Sequence, residues 1–523
     1  MNRYQQVFFS MLIVVLVVGL CSTGLAQRIV DVAPTEFGIL NKVIDGDTTA
    51  GGARVDSNTV YRLERGTDKY YVLDGSIQNN GYHLTIIAND EEGDRPKLVP
   101  GVATGGESSR PFRPAGDLTL KGLYISGKDD KGGLPGRLIR INADDITIDI
   151  DDCHLDYDDQ SAFRFDTKGV KVFLRNSIVS NIGTTSDPNN GRGFDDRGNN
   201  IDTIVVEHCT FYNITSRVLR DDGGWIKLAK FDHNTFINIG QWMLTFGEVA
   251  DAQFTNNMVI NGAFFGNGEN DTGPNYWLEV DSLKNTDLIN AGYTQSVNIS
   301  YNNFYLDPAI VAAYPDTVDA AELFSPTAQA FIDESGMGAT NLNEAITFTL
   351  GPAAPADVVT AIWAGATEVP PMDPGTAGEY GQPGYGTVTF DLAYPTGTAS
   401  YTGAMAGRPL GDLNWFGMAT SVENYQTTRM PKAFRLLGNY PNPFNPSTNI
   451  RFDLDKPAIV TITVYDNLGR KVLSTQPKKM NAGNAQVINL NAAQLATGMY
   501  MYKINANTGS DNYIGIGRML LLK

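Results

Sequence analysis

Val205-Val-Glu-His-Cys-Thr-Phe211, Lys230-Phe-Asp-His-Asn-Thr-Phe236 and Gln253-Phe-Thr-Asn-Asn-Met-Val259 are three copies of one phrase. Each alternates apolar and polar residues into a short polar corner and leaves it on another apolar pair. The phrase extends upstream to Ile148-Asp-Ile-Asp-Asp-Cys-His-Leu155 and Val172-Phe-Leu-Arg-Asn-Ser-Ile178, and downstream to Asn298-Ile-Ser-Tyr-Asn-Asn-Phe304. Aligning the polar residue before the last apolar pair gives the column Cys153, Asn176, Cys209, Asn234, Asn257 and Asn303, at intervals of 23, 33, 25, 23 and 46. A period of roughly 24 residues, with insertions in two turns, fits a parallel β-solenoid in which each turn buries its apolar face only by stacking on the next. Stacked strands lie about 4.8 Å apart, so identical Asn side chains can join in a hydrogen-bonded ladder, with Cys in the same slot.

The same spacing decides the cysteines. Cys153 and Cys209 share a column two turns apart, roughly 9–10 Å, whereas a disulfide needs Cα atoms within roughly 7 Å. Two free, buried thiols are expected. Further upstream, Asn58-Thr-Val-Tyr-Arg-Leu63, Tyr70-Tyr-Val-Leu73, His83-Leu-Thr-Ile-Ile87 and Asp117-Leu-Thr-Leu-Lys-Gly-Leu-Tyr-Ile125 read as irregular first turns. With these turns and the closing segment Arg408-Pro-Leu-Gly-Asp-Leu-Asn-Trp415, the chain from about Gln27 to Trp415 resembles right-handed parallel β-helix proteins of the pectate-lyase-like superfamily. That resemblance implies a long shallow face suited to a polymer, and an activity on polysaccharide as lyase or hydrolase.

Outside the repeats the chain changes character. Met1–Arg3 carries a positive charge, Val7–Leu20 is nearly all apolar, and Gly24-Leu25-Ala26 is a small-x-small pattern, which together read as a signal peptide cut after Ala26. Ala309–Gln382 is rich in Ala, Pro and Gly; a helix over Ala320–Glu334 and a turn at Pro370-Pro-Met-Asp-Pro-Gly375 are expected, the whole covering the open end of the solenoid. The last ninety or so residues hold short alternating strands, which fit a small immunoglobulin-like β-sandwich. Asn439-Tyr-Pro-Asn-Pro-Phe-Asn-Pro446, Val464-Tyr-Asp-Asn-Leu-Gly-Arg-Lys-Val472, Leu495-Ala-Thr-Gly-Met-Tyr500 and Arg518-Met-Leu-Leu-Leu-Lys523 closely resemble the C-terminal sorting domain of type IX secretion cargo. The resemblance implies passage over periplasm and outer membrane to the cell surface or medium, with the type IX machinery as partner. The expected organisation is all-β: signal peptide 1–26, β-helix 27–310, elaboration and linker 311–432, and sorting domain 433–523.

The balance of 40 Lys and Arg against 58 Asp and Glu, a net −18, argues against nucleic acid, which needs a basic face. No apolar run after the leader is long enough to span a membrane as a helix. A lyase on a uronic acid must neutralise a carboxylate, remove the C5 proton and protonate the leaving oxygen, for which Arg, Lys and carboxylate-bound calcium are suitable. The best constellation joins Gly193-Phe-Asp-Asp-Arg-Gly198 to Val218-Leu-Arg-Asp-Asp-Gly-Gly-Trp225. Arg197 and Arg220 are 23 residues apart, about one turn, and with Lys227 are the catalytic candidates. Asp196, Asp221, Asp222 and Glu248 are the candidates for calcium, and Trp225, Trp242 and Tyr276 for stacking on sugar rings. The competing reading of the same residues is a solvated Arg–Asp ladder. His208 and His233 should stack but lack carboxylate or Cys companions for a metal. No complete catalytic motif is present, so two classes stand: an enzyme on acidic polysaccharide, with β-elimination favoured, and a non-catalytic surface adhesin or glycan-binding protein.

Overall fold

A computed structural model describes residues 27–523 apart from 51–52, 103–105, 107, 269–273, 373–379, 383–384, 388–389, 420–433, 441, 455, 467–469, 482 and 509–511. The expected signal peptide, the expected linker just before residue 433, half of the expected turn at Pro370 and part of the turn after Asp466 lie outside the described residues. The chain divides into two compact units between Ala419 and Thr420.

The first unit is a parallel β-solenoid of about eight turns over residues 29–260. Three parallel sheets form its walls: a first of ten strands beginning at Ile29–Val32, a second of nine beginning at Tyr70–Leu73, and a third of seven beginning at Ile139–Ile141. One turn visits them in order, as Thr147–Asp151, His154–Asp158 and Ser161–Phe165 do. The next turn then lays Val172 on Ile148 and Leu174 on Ile150. Because side chains alternate across a strand, every second residue points inward and meets its equivalent above and below. Leu155, Val179, Phe211, Phe236, Val259 and Phe304 form one such buried column, in which the Phe211 and Phe236 rings stack at 5.2 Å.

At the bend from first to second sheet, Asp152, Asn176, His208, His233, Asn256 and Tyr301 all take left-handed φ values of 47° to 58°. The ladder residue is the one after this bend. Asn257 Oδ1 accepts from the Asn234 amide at 2.8 Å, Asn302 Oδ1 from the Asn257 amide at 2.9 Å, and Asn341 Oδ1 from the Asn302 amide at 3.0 Å. The expected column is therefore corrected by one residue at two turns: Ser177 replaces Asn176, and Asn302 replaces Asn303. Both replaced residues are neighbours of the slot, and a bend of fixed conformation leaves no freedom to slip. A second ladder, Asn181, Asn213, Asn238 and Asn261, runs up the next bend through side-chain amides at 3.2, 3.3 and 2.9 Å. Cys153 and Cys209 are free and buried, and burial pushes the Cys153 thiol up to about 12.

Both ends of the stack are covered. The helix Ile39–Gly46 places Leu40 and Ile44 in the core at one end. At the other, the helix Pro326–Ser335, capped by Ser325, contributes Ala328 and Ile332. It starts later than expected because Glu322–Phe324 is drawn into the third sheet beside Tyr276–Glu279. Leu342 continues that end by pairing with Asn303, and Val358 and Val359 of the helix Ala356–Trp363 pack on Phe264, Phe265 and Ile310. Later residues form a strap along the outside of the second sheet, where Leu392, Tyr394 and Leu410 pack on Ile178, Tyr212, Ile237, Met258 and Ile260. Its closing segment is fastened by Thr210 Oγ1 donating to Asp412 at 2.8 Å, the Asp412 amide donating to Thr235 Oγ1 at 2.9 Å, and Trp415 Nε1 donating to Thr210 Oγ1 at 2.8 Å.

The second unit is antiparallel. Phe434–Tyr440, Ser447–Leu454 and Gly483–Asn491 make one sheet, and a second is built on Ala458–Tyr465, Gly498–Asn507 and Asn512–Leu521. Ile450, Phe452, Val460, Ile462, Tyr502 and Ile504 fill the space between them.

Candidate functional site

The outer face of the third sheet collects arginine. Strand register sets Arg140 beside Arg164, Arg164 beside Asp195, and Asp195 beside Arg220; a parallel row runs from Ser161 to Arg192 to Arg217. Asp195 Oδ1 accepts from Arg220 at 3.1 Å, with Arg192 at 3.7 Å from the other oxygen. Asp222 takes the remaining Arg220 nitrogen at 2.8 Å. Arg217 lies 3.8 Å from the centre of the Trp242 ring, a cation–π contact that leaves its charge without a carboxylate partner among the described residues. Burial first, then the neighbouring Arg220 and Arg192, lower Arg217 to about 10. Tyr276 follows on the same sheet, beside Glu322. Arg220, Trp242 and Tyr276 thus share one face.

Other expected members lie elsewhere. Arg197 is exposed at the bend from third to first sheet, at φ 58°. It is not the register partner of Arg220, because this turn is 25 residues long rather than 23 and Asp195 occupies that place. Trp225 opens a strand of the first sheet, and Lys227 on the same strand donates to Asp202 at 2.7 Å. Glu248 accepts from the amides of Lys284 and Asn285 at 2.7 and 2.5 Å. With Asp222 held by Arg220, the four carboxylates assigned to calcium do not converge. Among the described residues no group of three or more His, Cys, Asp or Glu is arranged to hold a metal, which corrects that expectation. His208 and His233 are neighbours, with ring centres 5.4 Å apart, but their planes are tilted by 41° and do not stack. Burial, reinforced by His233, lowers His208 to about 4.

Asp196 and Asp221 meet at the buried bend behind the arginine face, where one carboxyl hydrogen-bonds the other. Burial, and then the hydrogen bond and charge of Asp196, raise Asp221 to about 8; burial also raises Asp196. The pair therefore holds a proton at neutral pH. Gly247 on the next turn is required here: a Cβ at that position would lie 1.9 Å from Asp221 Oδ2.

Arg110, Arg113, Arg137, Arg140, Arg164, Arg192 and Arg217 belong to the same wall, and none carries a motif. Their signal is spacing: Arg140 to Arg164 is 24 residues and Arg192 to Arg217 is 25, the period of the ladder.

Residues 439–513 match the family described as the secretion system C-terminal sorting domain. The chain carries a type IX sorting domain, which implies handling by the type IX machinery and secretion with surface attachment or release. No curated protein matches the chain. Among solved structures, dimeric latent PorU from Porphyromonas gingivalis matches at 21% identity and a TM-score of 0.16. That match covers 17% of this chain, and this chain spans 9% of the length of that one.

Proposed function

We propose that this exported β-helix binds an acidic polysaccharide along the arginine face of its third sheet and does not cleave it. The observation that carries this reading is the grouping of Arg192, Arg217 and Arg220 with Trp242 and Tyr276 on one wall, in a chain whose net charge is −18. An acidic partner would otherwise be repelled, so a local basic stripe determines where it can lie. Aromatic faces beside the guanidinium groups offer sugar rings an apolar surface, while the arginines offer forked donors to carboxylates. Binding is preferred to elimination because Lys227 is held by Asp202 on another sheet and Arg220 is already paired. The lyase reading keeps one support, the Asp221 carboxyl, raised to about 8 by burial and by Asp196. That group lies against Gly247 of the next turn, at the bend that follows the arginine strand.

The test is titration of the mature protein with polygalacturonate at low and high salt, with absorbance followed for unsaturated product in the presence and absence of calcium. The expected outcome is salt-sensitive binding, weakened by Arg217→Ala and by Arg220→Ala, with no product. Product formation would instead establish the lyase. Absence of binding at every salt concentration would end both readings.

A further inference from the structure

Arg110, Arg113 and Arg137 stand on the same wall, on turns before Arg192, Arg217 and Arg220. Phe112 bridges to Ile139 on the next turn, which brings Arg113 to Arg140 and Arg110 to Arg137; Arg140 is in turn beside Arg164. Five guanidinium groups thereby gather on three adjacent turns, with strands about 4.8 Å apart. One carboxylate, Asp166, serves Arg140 and Arg164 together. Arg110, Arg113 and Arg137 have no ion-pair partner among the described residues, and the Nε of each is buried without an acceptor. Native proteins rarely leave several buried donors unmet in one place, and such a group calls for an ion or ligand.

The nearest acids do not fill the need. Asp158 Oδ1 accepts from the amides of Gln160 and Ser161 at 2.7 and 2.8 Å, and its other oxygen has no partner. Burial raises Asp158 to about 7, and it raises Asp159 against the pull of Arg137 and Arg110. Burial, followed by repulsion from neighbouring guanidinium groups, lowers Arg110 and Arg137.

We propose that Arg110, Arg113 and Arg137 form a binding site for one tetrahedral oxyanion, a sulfate or phosphate group. Three planar donors on two adjacent turns suit a centre that presents oxygens in three directions. A carboxylate offers two coplanar oxygens and satisfies one fork, or two, and leaves the third donor unmet. The group can arrive as a free ion or as an ester on a polymer, and the chemistry of capture is the same.

The full mature chain is titrated calorimetrically with sodium sulfate and with sodium phosphate, sodium chloride holding ionic strength constant. Saturable binding at one site is expected, and Arg137→Gln should weaken it by about tenfold or more. Arg110→Gln should lose binding yet melt higher than wild type without ligand, since it relieves repulsion among cations. A residue serving only the fold would melt lower. Arg113→Gln, in the row with Arg140, takes the place of Arg137→Gln should that variant not fold. Arg217→Ala, in the polysaccharide face, should bind sulfate as wild type does, which separates this site from the one proposed above. Heparin that competes with sulfate identifies an ester on a polymer as the source; heparin that does not compete identifies the free ion. The proposal is overturned if neither the ions nor heparin bind, if both Arg137→Gln and Arg113→Gln keep wild-type affinity, or if polygalacturonate displaces sulfate at equal charge concentration.

Discussion

Asp221 shows how a single carboxyl sets a pH response. Its folded-state value, near 8, lies above the ordinary carboxylate value of about 4, so the folded protein binds the proton more tightly than the unfolded chain. Its contribution to stability is fully present below pH of about 4 and is lost as the pH rises toward 8. Asp221→Asn should flatten the dependence of melting temperature on pH across that window and raise stability at pH 8; an unchanged slope would place the proton elsewhere. Asn234 tests the ladder. Its Oδ1 accepts from the Cys209 amide at 3.0 Å and its Nδ2 donates to the Val206 carbonyl at 3.0 Å. Asn234→Leu leaves both backbone groups buried and unmet, at a cost of about 2–4 kcal/mol. Denaturant unfolding should report that loss, while Cys209→Ser stays within about 1 kcal/mol of wild type. Asn234 and Cys209 could be placed from sequence because each stands between His and Thr in the same repeated phrase. At Asn176–Ser177 and Asn302–Asn303 two small polar residues adjoin, and only the left-handed bend decides which one turns inward.

At the scale of elements, the strap is held by packing and by few directional contacts. Leu410 is fully buried against the second sheet. Leu410→Ala should cost about 2–5 kcal/mol. The same change should speed proteolysis between the cap helix and Trp415 while the turns stay intact, and equal cleavage rates would show that the strap is fastened elsewhere. The repeating strands were legible because a period of two within a strand and a period of roughly 24 between turns reinforce one another. Strap residues such as Leu392, Tyr394 and Leu410 follow no period. Their composition announces an irregular segment and not its destination. The arginine wall was half legible: Arg220 sits in a conspicuous Asp-rich phrase, whereas Arg140 and Arg164 are lone residues that come together only through register.

For the whole molecule, two units with separate cores should unfold independently. Calorimetry of the intact chain should show two transitions, and removal of Ala433–Lys523 should abolish one and leave the other unshifted. The truncated protein should remain folded but fail to reach the surface or medium; normal delivery without the tail would refute its sorting role. The fastening of the closing segment has a mechanical consequence. Gly411, Asp412 and Trp415 grip the solenoid at Asn256, Thr235 and Thr210, on three successive turns. Tension drawn through the C-terminal tail therefore enters at the turn of Thr210, ahead of the last turn, and opens these clasps one after another, as a zipper yields. The stacked turns carry none of the load until the strap has peeled away, so traction on the tail unwraps the coat before it strains the coil.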